Sequence, residues 1–240
     1  MSIHICTDYS LFPPYALMIA ISFVAGLVLQ YFLNIKRGIQ PMIAGFITLL
    51  SPLMSFFFAF LLTYATSDGS KFGLSSMGGL FGMYLSVVTL ALIKRDPRTT
   101  CITLENCTLV MPLMYSISKL GCFFAGCCHG IPYHGPCCVK YSGKVTETDY
   151  IFPVQLTETI VFFLIFAIGM IMLIKNYRNT SIYILSASAA AKGFLDFLRE
   201  SHMDKIISFN QILCIIVVII GIVYITAFKR KSNCRTTVTT

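Results

Sequence analysis

Long apolar runs, broken by short basic clusters, set the pattern of this chain. Seven of them reach the roughly 20 residues that a helix needs to cross a bilayer. They cover 14–34, 41–66, 72–93, 107–126, 153–174, 181–198 and 206–228. Basic residues then sort by connection. Lys36 and Arg37 follow the first run, Lys94, Arg95 and Arg98 the third, and Lys175 and Arg178 the fifth; Lys229, Arg230, Lys231 and Arg235 follow the seventh. These eleven of the eighteen Lys and Arg residues fall on alternate connections, which the positive-inside rule assigns to the cytoplasm. The pattern predicts an all-α integral membrane protein of seven transmembrane helices, with the N-terminus outside and the C-terminus cytoplasmic. Residues 1–240 then form one polytopic domain with an external loop at about 127–151.

Composition agrees with this reading. The chain has 240 residues, 56% hydrophobic and only 12% charged, with a mean hydropathy of +0.79, whereas soluble domains carry about a quarter charged residues. The net charge of +8 comes from basic clusters between apolar runs, so it reports orientation rather than a nucleic-acid partner. The opening MSIHICTDYS lacks the positive n-region of a cleaved signal peptide. No repeat or low-complexity tract is visible.

Ionisable residues inside the spans gather at one depth. Lys119 lies eight residues before Cys127, roughly 12 Å below the outer end of its span at 1.5 Å per residue. Lys192 is seven residues before Arg199, roughly 10 Å below the same surface. Gln155 and Glu158 open the fifth span within roughly 8 Å of it. A charge in hydrocarbon costs several kcal/mol, so such residues mark function by default. Lys192, Asp196 and Arg199 are spaced i, i+4, i+7 and share a helix face, either as a self-satisfied ladder or as part of a site. Lys119 has no carboxylate within one turn in sequence. Two cations at matched depth with few local anions favour an anionic ligand, above all a lipid phosphate, in a polar cavity open to the outer leaflet.

Other residues carry weaker signals. Gly78 and Gly82 make a small-residue face suited to helix packing. Gly121 and Gly126, around Cys122, admit either a head group or a neighbouring helix. Tyr15 suits an interfacial anchor. The pairs Cys127-Cys128 and Cys137-Cys138, with His129 and His134 between them, allow a loop disulfide or a thiol-redox function. A zinc site from those two pairs is disfavoured, because adjacent cysteines do not both ligate comfortably and the spacing between pairs is not that of a zinc motif.

Four segments in order resemble prolipoprotein diacylglyceryl transferase: GGLFG (78–82), KLGCFFAGCCHG (119–130), FPVQLTE (152–158) and KGFLDFLRE (192–200). The second is the most specific and resembles the GCFxAGCCYG form of a divergent branch; the third and fourth resemble HPTQLYE and RFxxEFxR. The resemblance implies transfer of a diacylglyceryl group from phosphatidylglycerol to the lipobox cysteine of an exported prolipoprotein, in the bacterial cytoplasmic (inner) membrane. It implies no metal and no soluble cofactor, and a site facing the outer leaflet. Lys119 and Lys192 stand where the family has arginines, and Tyr15 where it has a functional tyrosine. Asp196 and Arg199 keep the acidic and basic ends of RFxxEFxR. Met77 and Phe152 replace histidines, Thr157 a tyrosine, and Cys122 and Cys127 an asparagine and a glutamate. The expected catalytic set is Lys119, Lys192 and Glu158, with substrate bound by Tyr15, Gly78, Gly79, Gly121, Cys122, Gly126, Gln155, Asp196 and Arg199. The partners are phosphatidylglycerol or a similar anionic lipid and a thiol peptide. A paralogue that binds an anionic phospholipid or lipopeptide without transfer is the alternative.

Overall fold

The computed structural model describes residues 2–7, 14–66, 75–143, 147–200 and 207–228. Among them are seven helices: α1 (Pro14–Lys36), α2 (Pro41–Thr66), α3 (Ser76–Lys94), α4 (Pro97–Ala125), α5 (Val154–Ile174), α6 (Thr180–Asp196) and α7 (Phe209–Phe228). Two short strands, β1 (Ile3–Cys6) and β2 (Val139–Ser142), pair in parallel, Ile3 opposite Val139 and Cys6 opposite Ser142. Five helices, α1 to α5, are long and apolar enough to cross a membrane; the apolar part of α7 is shorter. Their outer faces carry apolar side chains with no protein partner to cover them, such as Met42, Leu49 and Leu53 on α2 and Ile168 and Ile171 on α5. A soluble protein would not leave so broad an apolar surface in water, so these faces suit lipid.

α4 is the hub, packed against α1 and α5 and touching α3 and α6. It starts ten residues earlier than the apolar run predicts, at Pro97 rather than residue 107. The cause is local: Asp96 caps the helix by accepting from the Arg98 and Thr99 amides, and Pro97 occupies the first helical position. The extension places Glu105 inside the helix, where Arg37 pairs with it at 2.5 Å and also donates to Asn106 at 2.7 Å. Ionisable groups therefore occur toward both ends of the bundle, and not in one layer alone.

Hydrogen bonds between helices replace much of the hydrophobic drive that lipid cannot supply. Ser51 and Ser86 hydroxyls meet at 3.1 Å between α2 and α3. Ser22 donates to the Met114 carbonyl at 2.6 Å, tying α1 to α4. Ser116 donates to the Thr159 carbonyl and Thr159 returns a bond to that of Ser116, joining α4 to α5.

The loop after α4 is an ordered cap. Tyr141, fully buried, donates to the Phe123 carbonyl at 2.8 Å, and Val139 exchanges backbone bonds with Ile151. Phe123, Val139, Tyr141 and Ile151 form its core with Ile3 and Ile5 of β1. The loop disulfide that the paired cysteines allow is not formed: Cys127, Cys128, Cys137 and Cys138 are free thiols. Strand pairing and the buried tyrosine hold the cap instead.

Candidate active site

The predicted ionisable residues meet where α4, α5 and the end of α6 converge beneath the cap. Glu158, only 1% exposed, lies at their centre. Its two oxygens face different cations: Lys119 Nζ is 3.2 Å from Oε2, and Arg199 Nη2 is 2.5 Å from Oε1. Lys119 is therefore not a cation without an anion, as local sequence implied. Its carboxylate comes from α5, 39 positions along the chain. Lys192 behaves differently. It bonds the Tyr115 hydroxyl at 2.8 Å, and no carboxylate of the described residues forms an ion pair with it.

Tyr115 is the residue that sequence reasoning missed. Its hydroxyl donates to Glu158 Oε1 at 2.9 Å while accepting from Lys192, with Arg199 Nη2 at 3.4 Å. Lys119 and Lys192 stand 5.2 and 4.8 Å from its ring centre, within cation–π range. Tyr115 lies one helical turn before Lys119, so the i, i+4 relation was the available signal. Ser208, also missed, donates to Asp196 Oδ2 at 2.7 Å.

Arg199 does not share a helix face with Lys192 and Asp196. α6 ends at Asp196, and Arg199 is set by an antiparallel bridge to Gly130. The Ile131 amide donates to the Leu198 carbonyl and the Glu200 amide to that of His129. Gly130 is required there because a Cβ would strike the Phe152 carbonyl oxygen. The glycine-cysteine turn thus fixes Arg199 through its backbone. Arg199 Nε remains 3.7 Å from Asp196 Oδ1. Gln155, also buried, donates to the Cys127 carbonyl at 2.8 Å and anchors the same turn to α5.

The glycines take structural positions. A Cβ on Gly121 would lie 2.6 Å from Met18 Cβ, so this glycine seats α1 against α4. Gly78 and Gly82 press on the backbone of α2 at Phe58 and Met54. Gly126, at φ 64°, closes α4 in the left-handed conformation. Gly79 faces Ser55 and lines a cleft of about 150 Å³ between α1, α2, α3 and α4. The cleft wall is mostly apolar, with Ile19, Phe23, Leu80 and Met83, and Tyr15 and Tyr115 border it. Tyr115 is shared between this cleft and the charged cluster.

Cys122, Cys127 and Cys128 bring their sulfurs together at the top of α4. Hydrogen bonds from the Cys122 and Cys127 thiols, then the charges of Lys119 and Arg199, hold the Cys128 thiol well below its ordinary range. Burial at the helix C-terminus keeps Cys122 away from solvent, whereas Cys128 is exposed.

The arrangement is chemically specific. Three cations, Lys119, Lys192 and Arg199, face two carboxylates, Glu158 and Asp196, and Lys192 is the one of the three that forms no ion pair with a carboxylate of the described residues. No curated protein matches the chain. The model of the prolipoprotein diacylglyceryl transferase family, however, matches residues 11–227. The chain belongs to that family, whose members are membrane transferases of lipoprotein diacylglyceryl transfer.

Proposed function

We propose that this protein transfers a diacylglyceryl group from phosphatidylglycerol to the lipobox cysteine of an exported prolipoprotein, in the outer leaflet of a bacterial cytoplasmic membrane. In this reading all seven helices span the bilayer with the N-terminus outside, as the distribution of basic residues supports. The observation that carries the proposal is the buried cluster of Lys119, Lys192 and Arg199, joined through Tyr115 to the wall of an apolar cleft. A phosphodiester carries one negative charge and suits Lys192, which no described carboxylate pairs with, while an acyl chain enters between α1, α2 and α3.

In the reaction the acceptor sulfur attacks the glyceryl carbon, an S–C bond forms, and the C–O bond to phosphate breaks. Glycerol phosphate departs with an additional negative charge. Lys192 is held by a neutral hydroxyl, so its charge is the least compensated and best able to meet that oxygen. Arg199 adds a bidentate-capable donor and Lys119 a point charge. Glu158 fixes both of these cations and supplies a carboxylate for the acceptor's proton. Tyr115 sets the distance between Glu158 and Lys192.

Met77 and Phe152 stand where the family has histidines, and Lys119 and Lys192 where it has arginines, and this favours the second reading, retention of a phospholipid without transfer. One experiment separates the two. The protein is reconstituted in phosphatidylglycerol vesicles with a lipobox peptide, and peptide mass and released glycerol phosphate are followed together. Transfer predicts both in equal amounts. Phospholipid retained by the purified protein, with neither product, supports the second reading.

A further inference from the structure

The three thiols at the top of α4 lie beside the charged cluster and take no part in its ion pairs, and the family's reaction implies no metal. We propose that Cys122, Cys127 and Cys128 form a zinc site whose open fourth position takes the acceptor thiol. The inference rests on the transferase reading for the identity of that thiol, but not for the metal.

Geometry carries the metal. All three sulfurs lie within 4.8 Å of one another. Zinc–sulfur bonds of about 2.3 Å place tetrahedral sulfur ligands about 3.8 Å apart, so small side-chain movements close the site. Cys122 and Cys127 have four residues between them, a spacing that zinc motifs use. Adjacent cysteines ordinarily point apart, which is why a zinc site using Cys127 and Cys128 together is not expected from spacing. Here Cys128 adopts φ 59°, a conformation rare for a non-glycine residue, and its sulfur joins the other two on one side.

The fourth position follows from what surrounds the trio. Among the described residues no further His, Cys, Asp or Glu joins the group. His129 is engaged elsewhere, with Nε2 2.6 Å from the Gly126 carbonyl and Nδ1 3.5 Å from Glu200. Three protein ligands with an open position is the pattern of catalytic rather than structural zinc. The exposed Cys128 leaves that position reachable. The acceptor would coordinate there as thiolate, its S–H proton passing through water to the Glu158 carboxylate. The thiolate then attacks the glyceryl carbon, the S–C bond forms, the C–O bond to phosphate breaks, and glycerol phosphate leaves with the electron pair. This supplies an activated nucleophile in a chain that has Met77 and Phe152 where its family has histidines.

The test uses the full chain purified in detergent from zinc-supplemented cells. Metal analysis should find one zinc per chain, falling at least tenfold in Cys128→Ser and in Cys122→Ser but unchanged in Cys137→Ser. If Cys122→Ser does not fold, the exposed Cys128 variant alone decides. Cobalt exchanged into the site should give a thiolate charge-transfer band that changes with a lipobox peptide and not with its Cys→Ser analogue. Zinc retained in both variants, copper held in preference to zinc, or a disulfide within the trio overturns the metal site. A cobalt band indifferent to the peptide overturns the acceptor role. These readouts need no turnover: zinc without transfer defeats only the transferase reading, and transfer by a zinc-free protein defeats only this inference.

Discussion

Glu158 should be the most costly residue in the site to neutralise, more costly than either of its cations. Glu158→Gln leaves both Lys119 and Arg199, with side chains only 8% and 13% exposed, facing an amide in place of a carboxylate. Breaking a buried ion pair from one side costs about 3–5 kcal/mol. Two cations lose one anion here, and the amide oxygen returns part of one hydrogen bond, so we expect about 3–4 kcal/mol. Lys119→Met differs in kind. Glu158 keeps Arg199 at 2.5 Å and Tyr115 at 2.9 Å, so it remains paired. That loss should be about 1–2 kcal/mol, and the double variant should lie below the sum by about 1 kcal/mol. At about 2–4 °C per kcal/mol for a chain of this size, Glu158→Gln should lower Tm by roughly 6–16 °C and Lys119→Met by roughly 2–8 °C. Buried Cys107 and Cys214 provide the assay, since a thiol-reactive fluorophore reports unfolding when they become accessible. A Glu158→Gln protein as stable as Lys119→Met, or more so, would refute the central position given to this carboxylate.

Three further outcomes follow from particular contacts. Tyr115→Phe keeps the ring under both lysines but removes the hydroxyl between Glu158 and Lys192; about 1–3 kcal/mol of stability and at least tenfold of transfer rate should be lost, as thermal unfolding and peptide mass gain would show. Gly82→Ala should destabilise because a Cβ meets the Met54 backbone, whereas Gly45→Ala, with open space around it, should hold Tm or raise it slightly by improving helix propensity. Asp96→Ala removes the cap of α4, and the Arg98 and Thr99 amides should exchange hydrogen faster while amides near Lys119 do not change.

Depth along the chain was legible because it needs only helical rise and a membrane boundary. That calculation brought Lys119, Lys192, Gln155, Glu158 and Asp196 toward one level, and the structure places them in one neighbourhood. Which cation meets which anion was not legible, since the Lys119–Glu158 pair joins two helices through their packing. Tyr115 was hidden for another reason: a tyrosine in an apolar run reads as membrane lining until a partner is visible. Arg199 was assigned to a helix face by its spacing, but α6 stops at Asp196 and the backbone bridge to Gly130 takes over. The β1–β2 pair, between strands far apart in sequence, leaves no local periodicity to read. The early start of α4 was legible in principle, because Asp96-Pro97 is a helix-start signal outside the apolar window.

The central claim is that this cationic cluster serves transfer from a phosphodiester lipid to a thiol. Its most direct test is the mass of a lipobox peptide after incubation with the full-length protein in phosphatidylglycerol vesicles, beside a peptide with serine in place of the cysteine. The account predicts a diacylglyceryl mass increment on the cysteine peptide alone, reduced at least tenfold in Lys192→Met. An unchanged cysteine peptide, or an increment that survives Lys192→Met undiminished, would contradict it.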